Sequence, residues 1–355
     1  MKTQSIHLLY QSAASSSLIF IPLLAEGFGA QEWEIGVIGA VYGTALFASS
    51  YLFGRLSDIH NKRFIILLGL AASGLAFALQ IFAGAVISLT VARGLAGFAI
   101  GIFPPALVAY VYEAKIRFGR FLSFGPLGMA IGAFFAGLIA IYYQIFIFSS
   151  LCLLLAFLIG LTLPAIRSKP MKIPRFPKHL IKRDFFVYLS LFFRHVSANA
   201  VWIIFPLFVK QLGGTLVGIS LLYTVNYIGQ FIFMNLFDRF KSSKLIICGF
   251  SGSALTFLCY AFTQNFYQFI PIELLLAFSW SSLWVGMNLH LLNRNVEHST
   301  VIGLLTSTQS ISIACGPFIG GWVAYFLGYR ATMWFAFALS LLALLTFEIG
   351  IKREE

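Results

Sequence analysis

The chain is 355 residues long, 59% hydrophobic and only 10% charged, with 24 Lys and Arg against 12 Asp and Glu. A soluble domain carries about a quarter charged residues, so this composition excludes one and indicates a membrane protein. The net charge of +12 does not mark a nucleic-acid binder either, because the basic residues gather in alternate loops between apolar runs.

The uncharged runs from Phe121 to Ile166, from Leu245 to Ile272 and from Ser299 to Tyr329 each exceed the about 20 residues that one helix needs to span a bilayer. Strict apolar/polar alternation, the mark of a membrane β-barrel, is absent. Breaking the runs at charges, Gly/Pro clusters and polar turns predicts twelve transmembrane helices. They begin near Ser5, Ile35, Phe64, Ala85, Phe121, Tyr142, Phe185, Thr215, Leu245, Tyr267, Thr300 and Tyr329. The expected fold is an all-α membrane protein with two six-helix bundles related by a pseudo-twofold axis. The bundles are residues 1–163 and 185–355, joined by the polar, Pro-rich and basic stretch 164–184.

The first helix follows Lys2 and is Ser-rich, without a small-residue cleavage pattern, so it reads as a retained span; Glu26 near its outer end reads as interfacial. The second ends in Gly54-Arg55-Leu56-Ser57-Asp58-Ile59-His60-Asn61-Lys62-Arg63. There a carboxylate between basic groups can sit at a helix N-terminus while the cations meet anionic headgroups. The fourth carries Arg93, about 10 Å below its outer start at the usual helical rise, and the fifth carries Gly132 and Gly137, small residues that let helices approach closely. In the seventh, His195 and Asn199 share a face, whereas Arg194 and His195 project about 100° apart. The eighth sets Tyr223, Asn226, Tyr227 and Gln230 on one polar and aromatic stripe and runs down to Asp238. The tenth holds Glu273, Trp280, Trp284 and Asn288, and the eleventh Gly316, Pro317, Gly320 and Gly321. Cys152, Cys248, Cys259 and Cys315 lie in apolar text without CxxC spacing, so neither a disulfide framework nor a metal site is expected, and nothing implies a cofactor.

With the N-terminus inside, alternate loops collect 20 of the 24 Lys and Arg, while the opposite loops hold only Lys210 and Arg330. This predicts both termini on the cytoplasmic side of a cell membrane, with the basic loops against anionic lipid. The two halves also repeat. Asp58 recurs as Asp238, and at a shift only slightly longer Pro22 recurs as Pro206 and Gly132 as Gly316. At the offset of the two aspartates Arg93 meets Glu273, which sets opposite charges at corresponding positions inside the membrane. An intramembrane charge is costly and usually faces a cavity or a partner. Glu273 then reads as a proton-binding carboxyl, Arg93 as a holder of an anionic group or a tuner of such a carboxyl, or both as residues that snorkel to the interface.

Gly54 to Arg63 resembles the loop 2–3 signature of the major facilitator superfamily, G-x-L-a-D-r-x-G-r-[KR], with His60-Asn61 in place of the usual residue-Gly turn. Arg93-Gly94-Leu95-Ala96-Gly97-Phe98-Ala99-Ile100-Gly101 resembles its fourth-helix signature. The resemblance covers the whole chain. It implies rocking of two halves around a central site, with Gly54, Arg55, Asp58, Lys62, Arg63 and, as a degenerate copy, Asp238 forming a conformational latch. The G-P-x-x-G-G signature of proton-coupled drug antiporters is intact in the eleventh helix and lacks its proline and one glycine in the fifth. The function expected is secondary active transport of a small organic solute, proton-coupled, as an efflux antiporter or a metabolite symporter, by a monomer. The expected site comprises Arg93, Arg194, His195, Asn199, Tyr223, Asn226, Tyr227, Gln230, Glu273, Trp280, Trp284 and Asn288. An uncoupled facilitator is the alternative, with a polytopic enzyme or a non-transporting sensor further behind. No paired carboxylates, HExxH or GxSxG supports an enzyme.

Overall fold

The computed structural model describes residues 1–352 apart from His60, Lys115, Arg117, 165–177, Asp238, Arg239, Val296 and Glu297. For Arg55, Asp58, Ile59, Tyr112, 118–120, Leu122, 298–300 and Lys352 it describes the backbone alone. Twelve long helical elements follow one another, with no strand among the described residues. They are α1 (Lys2–Ile19, continued by Ile21–Gly27), α2 (Glu32–Ile59), α3 (Lys62–Leu79), α4 (Val86–Gly101, continued by Pro104–Glu113), α5 (Phe118–Ile139) and α6 (Tyr142–Leu161). After a short helix at Lys178–Arg183 come α7 (Phe185–Trp202, continued by Phe205–Gln211), α8 (Leu216–Phe237), α9 (Ser242–Phe262), α10 (Phe269–Arg294), α11 (His298–Leu327) and α12 (Tyr329–Lys352). Every one begins within a turn of its expected start.

Breaks within helices fall where the sequence requires them. α1 and α7 are interrupted just ahead of Pro22 and Pro206, and each proline occupies the first turn of the outer segment. There its missing N–H costs nothing. The two parts of α7 meet at 45°. α1 and α7 also end alike: Gly29 and Gly213 adopt φ of 83° and 89°, and the next N–H reaches back, Ala30 to Ala25 at 3.0 Å and Gly214 to Val209 at 2.9 Å. This is a Schellman stop, for which glycine is favoured because a Cβ is strained at positive φ.

The packing repeats. α1 lies on α5 and α6, α2 on α4, and α3 on α4 and α6; in the second half α7 lies on α11 and α12, α8 on α10, and α9 on α10 and α12. The halves meet chiefly through α2 with α11 and α5 with α8, which are equivalent pairs under the repeat.

Small residues decide which faces meet. A Cβ on Gly128 or Gly132 would run into the Leu8 or Ser12 carbonyl of α1, and one on Gly316 or Gly320 would run into α7 at Val196 and Asn199 or at Ala200. Gly137 and Gly321 face the other half instead, the first against Ser220 of α8 and the second against Gly36 of α2, where Pro317 also packs on Gly39. Thus α5 and α11 each present two small-residue faces, one inward to their own bundle and one across the interface.

One apolar cluster contains residues of both halves, among them Phe20, Ile35 and Ala133 with Phe205, Phe208 and Ala324. It lies at the end remote from the basic loops. Towards the basic end the core separates into two clusters, one from the first half around Ile65, Phe77 and Phe103 and one from the second around Ile246, Phe250 and Phe347. The molecule is therefore sealed between its halves at the end remote from the basic loops.

Candidate transport site and gates

Arg93 and Glu273 do not pair with each other; each is buried in its own half. The Arg93 guanidinium donates to Gln80 Oε1 at 3.1 Å and Ser17 Oγ at 3.3 Å and stands 4.2 Å from the centre of the Tyr42 ring. The Glu273 carboxylate accepts from the Tyr260 hydroxyl at 2.6 Å, and the Glu273 carbonyl accepts from Asn226 Nδ2 at 3.0 Å. Gln80 and Tyr260 are themselves related by the offset that relates Arg93 to Glu273, and Tyr42 and Asn226 by the offset that relates Pro22 to Pro206. The two clusters are one design with opposite charge. A buried charge without a counter-ion depends on such neighbours. No cation ion-pairs with Glu273 among the described residues.

The eighth-helix stripe divides. Asn226 and Gln230 are buried and tie α8 to α10: Asn226 donates to the Glu273 carbonyl and Ser281 donates to the Gln230 carbonyl at 3.3 Å, while Gln230 donates to Asn226 at 2.6 Å within α8. Tyr223 and Tyr227 stay half-buried, and Tyr227 reaches Ser15 of the first half. On α7, Asn199 turns back to the His195 carbonyl at 2.7 Å. His195 stacks on Trp280, centroids 5.2 Å apart, and Trp280 stacks on Trp284 at 5.5 Å. Arg194 stands over Trp280 at 4.6 Å and donates Nε–H to Ser253 at 3.0 Å. Asn288 is half-buried and bonds the Trp284 carbonyl at 2.8 Å. The seventh and tenth helices thus bring Arg194, His195, Trp280 and Trp284 into one aromatic and basic group, whereas Arg93 lies in the other half.

At the basic end Lys62 pairs with Glu113 at the end of α4, at 2.9 Å, and Arg63 donates to the Leu161 carbonyl at the end of α6, at 2.6 Å. Cations on C-terminal carbonyls are favourable, and both contacts stay within the first half. Gly54 lies against Pro105 of α4. The side chains of Arg55 and Asp58, and all of Asp238, lie outside the described residues.

The sealed end carries contacts that the sequence reading missed. Lys210 of α7 pairs with Glu26 of α1 at 2.5 Å, and Tyr329 of α12 donates to Glu32 of α2 at 3.1 Å. Both join the halves, and a cavity of about 530 Å³ opens beside them, lined by Glu26, Glu32, Lys210, Gln211 and Tyr329 among others. Glu26 and Lys210 stand at the same offset as Pro22 and Pro206, so they are equivalent positions meeting at the pseudo-twofold axis. That offset was the available signal. Gln80, Ser17, Tyr42 and Tyr260 were likewise missed, and the shift from Arg93 to Glu273, applied to Gln80, would have found Tyr260.

A duplicated twelve-helix bundle with buried polar clusters in both halves and a seal between them at one end defines a polytopic membrane carrier, not an enzyme. The chain belongs to the Major Facilitator Superfamily, whose sequence model matches residues 5–187 and again 187–355. It is 22% identical over 91% of its length to the "Multi-drug resistance efflux pump PmrA homolog" of Lactococcus lactis subsp. lactis (strain IL1403), covering 87% of that protein. Among solved structures it superposes on the nucleoside transporter NupG with a TM-score of 0.77 at 13% identity, over 99% of this chain and 98% of that one. It also superposes on the human organic anion transporter MFSD10 (TETRAN) with a TM-score of 0.73 at 15% identity, over 98% of both. Transport of small molecules is thus the function of this chain.

Proposed function

We propose that the protein is a proton-coupled secondary transporter of a small organic solute, in which residues 1–163 and 185–355 rock about a central site and 164–184 connects them. The basic loops and both termini lie on the cytoplasmic side of the cell membrane, next to anionic lipid. The sealed end then faces outward and the conformation described admits solute from within. Gly54, Arg55, Asp58, Lys62, Arg63 and Asp238 act as the latch between conformations at the cytoplasmic end.

One observation carries the coupling: Glu273 is buried in the second turn of α10, and its carboxylate accepts from a hydroxyl and has no cation for a partner among the described residues. Holding a carboxylate ionised in such a place is expensive, so its proton is exchanged when the site is hydrated in one orientation and closed off in the other. The test is solute flux into vesicles reconstituted with the purified protein under an imposed pH gradient. Flux follows the gradient in the wild type and ignores it in Glu273→Gln. Flux of the wild-type protein without any response to the gradient leaves a facilitator and removes the coupling.

A further inference from the structure

Arg194 is among the largest side chains that are fully buried, with 0% of its surface exposed, yet only part of it is satisfied. Nε–H bonds Ser253 at 3.0 Å, and the plane lies 4.6 Å from Trp280 and 6.0 Å from Trp202. Nη1 and Nη2 are buried with no hydrogen-bond partner, and no carboxylate ion-pairs with Arg194 among the described residues. Arg93, the other buried arginine, bonds Gln80 and Ser17 through Nη1. The difference is specific: at Arg194 the two prongs that can donate to a bidentate anion are the atoms left open.

We infer that Arg194 anchors a subsite for solutes that carry a single carboxylate on an aromatic ring. The inference rests on the chain being a carrier of small organic solutes. A carboxylate has two oxygens in one plane at the spacing of the guanidinium fork, and one negative charge balances one arginine. A phosphate dianion needs a second cation, and none contacts this guanidinium among the described residues. The ring component follows from the walls. His195, Trp280 and Trp284 form a stack with interplanar angles of 30° and 20°, and flat apolar faces of this kind accept a further ring in offset stacking. Ser253 and His195 are buried, whereas Trp202 and Trp280 are half-buried, so approach to the guanidinium runs past the two indoles. A ligand seated there meets a ring surface first and the charge behind it.

The test is a thermal-shift and calorimetric titration of the purified full-length protein in detergent at fixed pH. The probes are 2-naphthoate, its uncharged isostere 2-naphthamide, and inorganic phosphate. The acid stabilises the protein saturably, and the amide and phosphate bind at least tenfold more weakly. Arg194→Gln lowers affinity for the acid at least tenfold and brings acid and amide to the same value. Trp280→Leu weakens both equally, because it removes ring contact and not charge. Equal binding of acid and amide by the wild type, or failure of the acid to bind, overturns the assignment without recourse to any variant. So does an Arg194→Gln protein that still prefers the acid. No pH gradient is used, so loss of proton coupling with acid-selective binding intact would overturn the coupling reading alone, and the reverse result would overturn this one.

Discussion

Gly320 and Gly321 are neighbours on α11 that face different helices, α7 and α2, which allows the two kinds of contact in this fold to be separated by one methyl group each. A Cβ at Gly320 collides with the Ala200 backbone of α7, inside the second half. At Gly321 it comes within 2.5 Å of the Glu32 carbonyl and 2.7 Å of Gly36 Cα, across the interface on α2. Neither obstacle is a side chain that can rotate away, so a helix must move. Overpacking of this sort costs about 1–3 kcal/mol, which corresponds to about 5- to 150-fold in an equilibrium constant. For Gly320→Ala the cost falls on the bundle and lowers the melting temperature. For Gly321→Ala it falls on the sealed conformation and shifts the population towards opening at that end. Alkylation of a cysteine placed at the buried Ala324, in a background without the four native cysteines, reads the opening. Gly321→Ala accelerates it at least fivefold with little change in melting, and Gly320→Ala does the opposite. Gly303, with nothing near its Cβ position, is the control on the same helix. Equal effects of the two substitutions on melting, with alkylation unchanged, would refute the division of faces.

Three further outcomes follow from the same contacts. Glu26 and Lys210 are 42% and 54% exposed, so their pair is worth about 0.2–1 kcal/mol; Glu26→Gln or Lys210→Gln accelerates alkylation at position 324 by up to about fivefold, and a double-mutant cycle shows that the second substitution adds nothing to the first. Arg330 caps α9 by donating to the Ala261 carbonyl at 2.6 Å and the Thr263 carbonyl at 2.8 Å; Arg330→Ala costs about 1–3 kcal/mol in thermal stability, with flux per folded molecule unaltered. Arg93→Met removes the two bonds donated to Gln80 and Ser17 and the contact with Tyr42, while the Ser17 hydroxyl still donates to Gln80 Oε1 at 3.3 Å, lowering stability by about 1–2 kcal/mol, as measured by thermal unfolding of the purified protein.

The number of helices, their starts and the duplication were legible because the bilayer fixes span length and because loops must carry the polar residues. The repeat also anticipated the glycine packing, since Gly132 and Gly316 perform the same task on α1 and α7. Rotation of each helix about its own axis was not legible. Helices apolar nearly all round give no single face away, so the stripe of Tyr223, Asn226, Tyr227 and Gln230 read as one surface and divides in the structure between α10 and the other half. Arg63 shows a second limit: its reach to the Leu161 carbonyl depends on which helix end lies nearby, a matter of tertiary packing. Glu26 read as interfacial because a lone charge at a helix end usually is. Its partner, Lys210, occupies the symmetry-related position in the other half, and only the repeat could have disclosed it.

Alternating access requires that the two ends of one molecule open reciprocally, and spin-label distances across each end in lipid test this directly. A pair at Gly27, whose Cβ position is open, and Gln211 spans the sealed end, and a pair at Thr162 and Lys241 spans the basic end. Under conditions that drive transport, the first distance lengthens as the second shortens, with both populations shifting by the same fraction. Distances that change together, or a sealed end that never opens while solute is moving, would contradict the account.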